Sequence, residues 1–187
     1  MKKLIAFSLL PVLSGCLTAG APKVSQWILE YEGGVRTAQV AKHDVGRVSQ
    51  VLVRSPYNEV GIAVLKADGS VAFDPYNEYA ASPTAMLKGV VSDAMNASGL
   101  FGSVVNASSS VKSTAMVEVF FTRLALDCRQ EGKRNASVAV VVRILGPDGR
   151  ADIAKGEGVM DAADGNFGAA MSGAASAALR SAFDCLR

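Results

Sequence analysis

Three consecutive strand-like runs near the C-terminus constrain the fold of this chain most strongly. Residues 114–128 alternate apolar and polar side chains and change phase near Thr122, which predicts a strand with a β-bulge. Residues 137–145 are almost continuously apolar, as is typical of a central strand. A Gly-Pro-Asp-Gly turn at residues 146–149 leads into the third run, residues 153–160. Together the three runs predict an antiparallel meander.

A first helix is predicted at residues 83–98 from its end signals and its apolar period. Ser82 can accept a hydrogen bond from a free backbone N–H at the N-cap, and Pro83 lacks the donor that would be unpaired there. Gly99 suits the left-handed conformation that ends many helices. Apolar side chains recur on one side of the stretch, as expected for a helix on a core.

A second, Ala-rich helix is predicted at about residues 166–186, where apolar side chains recur with a 3.6-residue period. Its early residues are small, and Gly156 and Gly158 lie on the preceding strand, so a close approach of helix to sheet is expected. Because strands and helices alternate, the chain is predicted to form an α+β domain with a mainly antiparallel sheet and both principal helices packed on one face.

The first third of the chain supplies further strand candidates. Residues 27–31 alternate in polarity, which predicts a strand. Residues 48–54 are predicted as a second strand that ends at a turn-like Ser-Pro-Tyr-Asn sequence. Residues 62–65 and 71–73 flank an Asp-Gly pair, which is a strong hairpin signal. The polar stretch 32–47 has no periodicity that assigns it to an element.

The N-terminus predicts a lipoprotein signal peptide over residues 1–15. Two lysines precede a short apolar run, and Leu-Ser-Gly-Cys ends at Cys16 with the small residues that processing requires. Cys16 is therefore the expected lipidation site, where acyl chains such as palmitate hold the mature chain on a membrane. The alternative is a soluble secreted protein cleaved after residues 19–21, which form an A-x-A pattern.

Residues 16–25 are expected to be a lipidated tether and residues 26–187 a single domain. Leu17, rather than Asp, follows the lipidated cysteine and favours the outer membrane over the inner membrane, with the domain facing the periplasm. Cleavage removes two of the 19 basic residues and none of the 17 acidic residues, which leaves a balanced charge. No basic stripe remains, so a nucleic-acid partner is not expected.

Cys128 and Cys185 remain once Cys16 is lipidated. An even number of cysteines in an oxidising compartment favours a disulfide between them, and two buried free thiols are the alternative.

Motifs for catalysis or metal binding are absent from the sequence, so we expect no enzyme activity, no cofactor and no metal site. His43 is the one histidine, and it is expected to be a solvated loop residue. The feature with possible binding function is an aromatic cluster that comprises Tyr57, Phe73, Tyr76 and Tyr79. Such rings anchor protein partners, although they also complete the rims of cores.

The order of these features resembles the ABC-type transport auxiliary lipoproteins, the family of the PqiC subunits. The resemblance includes the lipidated Cys16, the Trp-Ile-Leu run at residues 27–29, the segment 76–83 that leads into the helix, and the Ser-Gly-Leu-Phe helix end at residues 98–101. It implies a non-enzymatic auxiliary subunit of an envelope lipid-transport system. The implied partners are an ABC transporter or a protein with MCE domains, and a homo-oligomer is left open.

Three other functions are compatible with the sequence. A secretion or pilus assembly could use the same tethered domain, because fold and tether do not determine the partner. A carrier would bind a small apolar ligand in a pocket beneath the helices. A hydrolase would depend on His43.

Overall fold

The structure is a computed structural model that describes residues 23–34, 40–163 and 165–187. The predicted signal peptide, residues 1–15, and the predicted lipidation site, Cys16, lie outside the described residues. Both therefore stay predictions from the sequence.

Eight strands and two helices follow one another along the described residues. In chain order they are β1 (Ser25–Trp27), β2 (His43–Val53), β3 (Gly61–Lys66), β4 (Val71–Tyr79), α1 (Pro83–Ser98), β5 (Phe101–Val105), β6 (Ala115–Cys128), β7 (Asn135–Leu145), β8 (Ala151–Asp161) and α2 (Phe167–Asp184).

The strands form one mixed sheet organised around the long strand β6. On one side of β6, β7 and then β8 continue the sheet in antiparallel pairing. On the other side, β2 runs parallel to the first half of β6 and β3 runs parallel to its last residues. β5 extends the sheet from β2, and β4 and β1 extend it from β3.

The prediction of a mainly antiparallel sheet is therefore wrong, although the α+β class is confirmed. Four of the seven strand pairings are parallel. The reason is the connection through α1, which carries the chain from β4 to β5 and β6 so that these strands return in the direction of β2. Polarity patterns locate strands, but they do not specify whether a strand pairs parallel or antiparallel with its neighbour.

The C-terminal meander and its irregularity agree with the sequence prediction. β6, β7 and β8 pair antiparallel along nearly their whole lengths. The register of β6 against β7 shifts between Phe121 and Arg123, at the position predicted for the bulge. Side chains before and after Thr122 consequently reach the same core despite their change of phase.

Both helices are confirmed within a few residues of their predicted ends. The side chain of Ser82 caps α1 by accepting a hydrogen bond from the N–H of Ala85 at 3.4 Å. Pro83 starts α1, and Gly99 ends it with a φ of 72°, a left-handed conformation that glycine adopts without strain.

The close approach of α2 to β8 is also confirmed. A Cβ atom placed on Gly156 would lie 1.9 Å from the carbonyl oxygen of Ala178, and one on Gly158 would lie 1.9 Å from that of Ala174. Glycine is therefore required at both positions, because any side chain would overlap the helix backbone. α2 and α1 also contact each other, and one apolar core lies between the helices and the sheet.

The strand predicted over residues 27–31 is wrong, since β1 ends at Trp27. The following irregular segment runs along α2, where the N–H of Glu30 donates to Ser172 Oγ at 3.2 Å and that of Glu32 donates to Ser176 Oγ at 2.7 Å. These serines supply acceptors that a neighbouring strand would otherwise supply.

The predicted disulfide is also corrected, because Cys128 and Cys185 are free thiols at opposite ends of the sheet. Cys128 is the last residue of β6 and lies near the end of β8. Cys185 lies near the start of β8, because Lys42 Nζ donates both to the carbonyl oxygen of Leu186, the next residue, and to the carboxylate of Asp152 on β8. The length of β8 separates these ends by roughly 30 Å at about 3.3 Å per residue. A disulfide requires Cα atoms within about 7 Å.

Within the described ranges, no helix has the length and apolar character needed to cross a membrane.

Candidate functional site

A candidate binding surface lies on the sheet face that is opposite to α1 and α2, which we name the open face. Along β6, Val117, Val119 and Phe121 point into the core beneath the helices. Met116 and Phe120 occupy the alternate positions and are therefore on the open face. Phe120 is 39% exposed, whereas the adjacent Phe121 is fully buried.

An apolar row crosses the open face at the level of Phe120. The sheet register places Leu52 of β2 and Val141 of β7 on either side of this ring. Leu52 is also exposed, and Val141 is partly buried. Cross-strand neighbours face the same side of a sheet, so the three side chains form one continuous apolar surface.

Further exposed apolar side chains extend this surface. They are Met116 on β6 and Ile153 and Val159 on β8. No described element covers them, in contrast with the alternate residues of the same strands, which pack against the helices.

Charged pairs surround the apolar row. Arg143 Nη1 lies 3.4 Å from Glu118 Oε2, and Arg123 Nη2 lies 3.6 Å from Glu157 Oε1. Such exposed pairs contribute at most about 1 kcal/mol to the free energy of unfolding. Their effect here is to balance the charge of the open face, which combines an apolar centre with a polar periphery.

The predicted aromatic cluster is divided by the fold. Tyr79 is 1% exposed and packs in the core, with its ring centroid 6.4 Å from that of Phe167. Burial raises the pKa of the Tyr79 phenol far above its ordinary value. A role for Tyr79 in binding a partner directly is therefore corrected: its ring packs inside the domain.

Phe73 is the member of that cluster that lies on the open face. It pairs with Ala63, whose neighbour Val64 pairs with the core residue Leu126, so Phe73 points away from the helices. The ring is 48% exposed and lies against Gly61.

Tyr57 and Tyr76 are placed differently. Tyr57 is partly buried against the core in the turn between β2 and β3. Tyr76 is 58% exposed on β4. Its N–H donates to Asp74 Oδ1 at 2.9 Å, and the Asp74 carboxylate also pairs with Arg134.

His43 begins β2 and does not lie in a loop, which corrects the interpretation of this residue as solvated. Its ring stacks on Phe101 with centroids 5.7 Å apart, and its Nε2 is buried without a hydrogen-bond partner among the described residues. Burial, followed by the charge of Lys42, lowers the pKa of the imidazole. An open cleft of about 660 Å³ adjoins it, and the ion pair of Lys42 with Asp152 lies at its margin.

The exposed apolar residues of the open face were missed by the sequence analysis, although a signal for them exists. Phe120 and Phe121 are adjacent apolar residues in a strand, as are Met116 and Val117. Such pairs indicate a strand with apolar side chains on both faces. The alternation in residues 117–121 identified only the covered face.

Comparisons with known proteins provide a fold but no family. No family model matches the chain, and no curated protein matches it. Among solved structures, protein XCC0632 from Xanthomonas campestris, described by the family model DUF330, is similar with a TM-score of 0.55 and 16% identity over 88% of this chain and 90% of that chain. An uncharacterized protein is similar with a TM-score of 0.62 and 12% identity over 89% of this chain and 96% of its own.

PelC from Paraburkholderia phytofirmans, a dodecamer in its crystals, is more distant. A variant of it gives a TM-score of 0.49 and 10% identity over 83% of this chain and 96% of PelC. The predicted membership in the ABC-type transport auxiliary lipoproteins is corrected, because no family model matches the chain and the two structures with TM-scores above 0.5 are described as DUF330 and as uncharacterized.

Proposed function

We propose that this protein is a lipid-anchored docking domain of the bacterial cell envelope, which binds a partner protein through the open face. The predicted acyl anchor on Cys16 would hold the domain at the periplasmic side of a membrane, and Leu17 favours the outer membrane. The observation that carries the proposal is the exposed apolar row of Leu52, Phe120 and Val141.

The composition of the open face favours a protein partner. Protein interfaces typically have an apolar, aromatic-rich centre and a polar, charge-balanced periphery. Phe120 and Leu52 provide such a centre, and the pair of Arg143 with Glu118 lies beside it. A nucleic acid would require an excess of basic residues, which this face lacks among the described residues.

The packing of α2 supports docking over the carriage of an apolar ligand beneath the helices. At Gly156 and Gly158 the backbone of α2 lies so close to β8 that even a Cβ atom would overlap it. A ligand between them would have to separate the helix from the sheet, at the cost of the core contacts of α2.

A site-specific crosslinking experiment tests the docking surface. The full-length protein would carry a photo-crosslinking amino acid in place of Phe120, with a matched variant at Glu131, which is exposed in the turn before β7. We expect the Phe120 probe, in native membranes, to give a specific crosslink to another envelope protein that the Glu131 probe does not give. Identical or absent crosslinks from both probes would contradict the proposal.

The identity of the captured protein tests the partner expected from the sequence. An ABC-transporter or MCE-domain subunit would support a role in envelope lipid transport, and a secretion or pilus component would support the alternative assembly. The anchor is tested separately with Cys16→Ala, which should lose palmitate labelling and leave the membrane fraction. Unchanged labelling and fractionation would exclude lipidation at Cys16.

A further inference from the structure

Among the strands that the structure describes, none pairs with the outer edge of β8. β8 pairs with β7 along its whole length and with no other strand of the described residues. Hydrogen bonds from Gly146 N to Arg150 O (2.9 Å) and from Ala162 N to Arg134 O (2.8 Å) extend this ladder at both ends. Because bonded pairs alternate in an antiparallel ladder, even-numbered residues of β8 bond to β7 and odd-numbered residues direct their N–H and C=O groups outward.

The side chains of these odd-numbered residues form a self-complementary series around Gly156. Lys155 and Glu157 flank the glycine, and Ile153 and Val159 follow at the next positions outward. All four are exposed on the open face. The order along the strand is apolar, basic, acidic, apolar. An identical strand that runs antiparallel therefore places a basic side chain opposite an acidic one and an apolar side chain opposite an apolar one.

We propose that two copies of this chain associate through their β8 strands, antiparallel, with the two-fold axis at Gly156. In this register Lys155 of each copy lies opposite Glu157 of the second copy, and Ile153 lies opposite Val159 of the second copy. The outward N–H and C=O groups then pair across the axis, so the two sheets become one continuous sheet.

Charge complementarity favours a second copy as the occupant of this edge. Lys155 has no ion-pair partner among the described residues, so the opposite copy would supply its first. Glu157 is held by Arg123 at a distance of 3.6 Å and remains 70% exposed, so it is free to meet a second cation. Directly opposite ions of unlike sign stabilise an antiparallel pair, and like charges destabilise it.

The helix above β8 is compatible with this association. On α2, Leu179 and Phe183 are buried, and Phe183 adjoins α1. Ala177 and Ser181 are two residues from Leu179 and thus on the opposite side of the helix, where they are at least partly exposed. Their small side chains allow the α2 helices of two copies to approach each other beside the axis.

Charge reversal in two single variants tests the proposed register. The full-length protein, purified in detergent, would be examined by sedimentation velocity over a concentration series. We expect wild type to form dimers, and Lys155→Glu and Glu157→Lys each to weaken them about tenfold or more, because each change places two like-charged pairs across the axis. An equimolar mixture of the two variants should form heterodimers with near wild-type affinity, since every pair is then of opposite sign.

A matched control uses Lys88→Glu, which makes the same charge change at an exposed position of α1 and should leave the dimer unchanged. A monomeric wild type, a larger assembly insensitive to both β8 variants, or a mixture that fails to associate would each overturn the proposal. Crosslinking through Phe120 is scored independently, so the failure of one proposal leaves the other intact.

Discussion

The two faces of the sheet contain similar apolar residues but use them differently. Phe121 is fully buried beneath the helices, whereas its neighbour Phe120 is exposed on the open face. On the covered face, Gly156 and Gly158 bring α2 into backbone contact with β8. The size and shape of each side chain on the covered face are thus constrained, because each must fit against the helices. The open face has apolar side chains without that constraint, which is typical of an interaction surface.

The largest expected effect is that of Gly158→Val on the covered face. A Cβ atom at this position would meet the Ala174 carbonyl oxygen at 1.9 Å, so the helix must move away from the sheet. We expect a loss of about 3 kcal/mol or more in the free energy of unfolding, measured by urea denaturation.

The control for this variant is Gly89→Ala on the exposed side of α1, where an added Cβ would contact nothing within 4 Å. It should stabilise the protein by up to about 1 kcal/mol, since alanine is the better helix former. A Gly158→Val protein as stable as wild type would show that the contact between α2 and β8 is not close.

The second prediction compares two adjacent phenylalanines on opposite faces. Phe121→Ala should destabilise the protein by about 3–5 kcal/mol, because it leaves a cavity in the core. Phe120→Ala should cost less than about 1 kcal/mol, since its ring is already partly in water, yet it should reduce partner crosslinking through the open face. Equal losses of stability in the two variants, measured by urea unfolding, would remove the distinction between the faces.

A smaller gain in stability is expected for Tyr79→Phe in the core. The Tyr79 hydroxyl is buried and has no hydrogen-bond partner among the described residues, so the folded state bears its desolvation cost. Its removal should leave the stability unchanged or raise it by about 1 kcal/mol. A clear decrease in the thermal unfolding temperature would indicate that the hydroxyl has a hydrogen-bond partner. A loss of binding to the partner protein at constant stability would indicate that Tyr79 belongs to the binding surface.

The smallest effect concerns His43 and pH. Burial lowers the pKa of this imidazole below its ordinary 6.5 in the folded state, so the unfolded state binds the proton more readily. Protonation of His43 should therefore have no effect on stability well above pH 6.5, and its cost to the folded state should grow as the pH falls from 6.5 towards the lowered pKa of the folded state. The test compares urea unfolding of wild type and His43→Phe across this range. A difference independent of pH would contradict it.

The sequence predicted those parts of the fold that depend on local chemistry. Ser82, Pro83 and Gly99 located α1, because caps and left-handed ends require particular residue types within one turn. Alternating polarity located β6, a continuous apolar run located β7, and the turn at residues 146–149 located the start of β8. The change of phase in β6 located the irregularity at Thr122. Gly156 and Gly158 on β8 predicted its close contact with α2, because the helix backbone can approach a strand this closely only where the strand has no side chains.

The candidate site was predicted in part. Of the four aromatic residues, Phe73 lies on the open face and Tyr79 lies in the core. An aromatic ring can pack in a core or contribute to a binding surface, so residue type alone does not predict which of the two a given ring occupies. The adjacent Phe120 and Phe121 carried a local signal for two apolar faces, but the contact of Phe120 with Leu52 was not predictable because it depends on the parallel pairing of β2 with β6, which are distant in sequence.

The sequence by itself determined the elements, their ends and their apolar faces, because these follow from backbone conformation and side-chain period within a few residues. Tertiary structure alone decided the parallel pairings of β2 with β5 and β6, of β3 with β6 and of β1 with β4, and it decided which apolar face stays uncovered. It also placed Cys128 and Cys185 at opposite ends of the sheet, although counting cysteines favoured a bond between them. These properties depend on contacts between residues far apart in the chain, and local patterns do not specify the partners of such contacts.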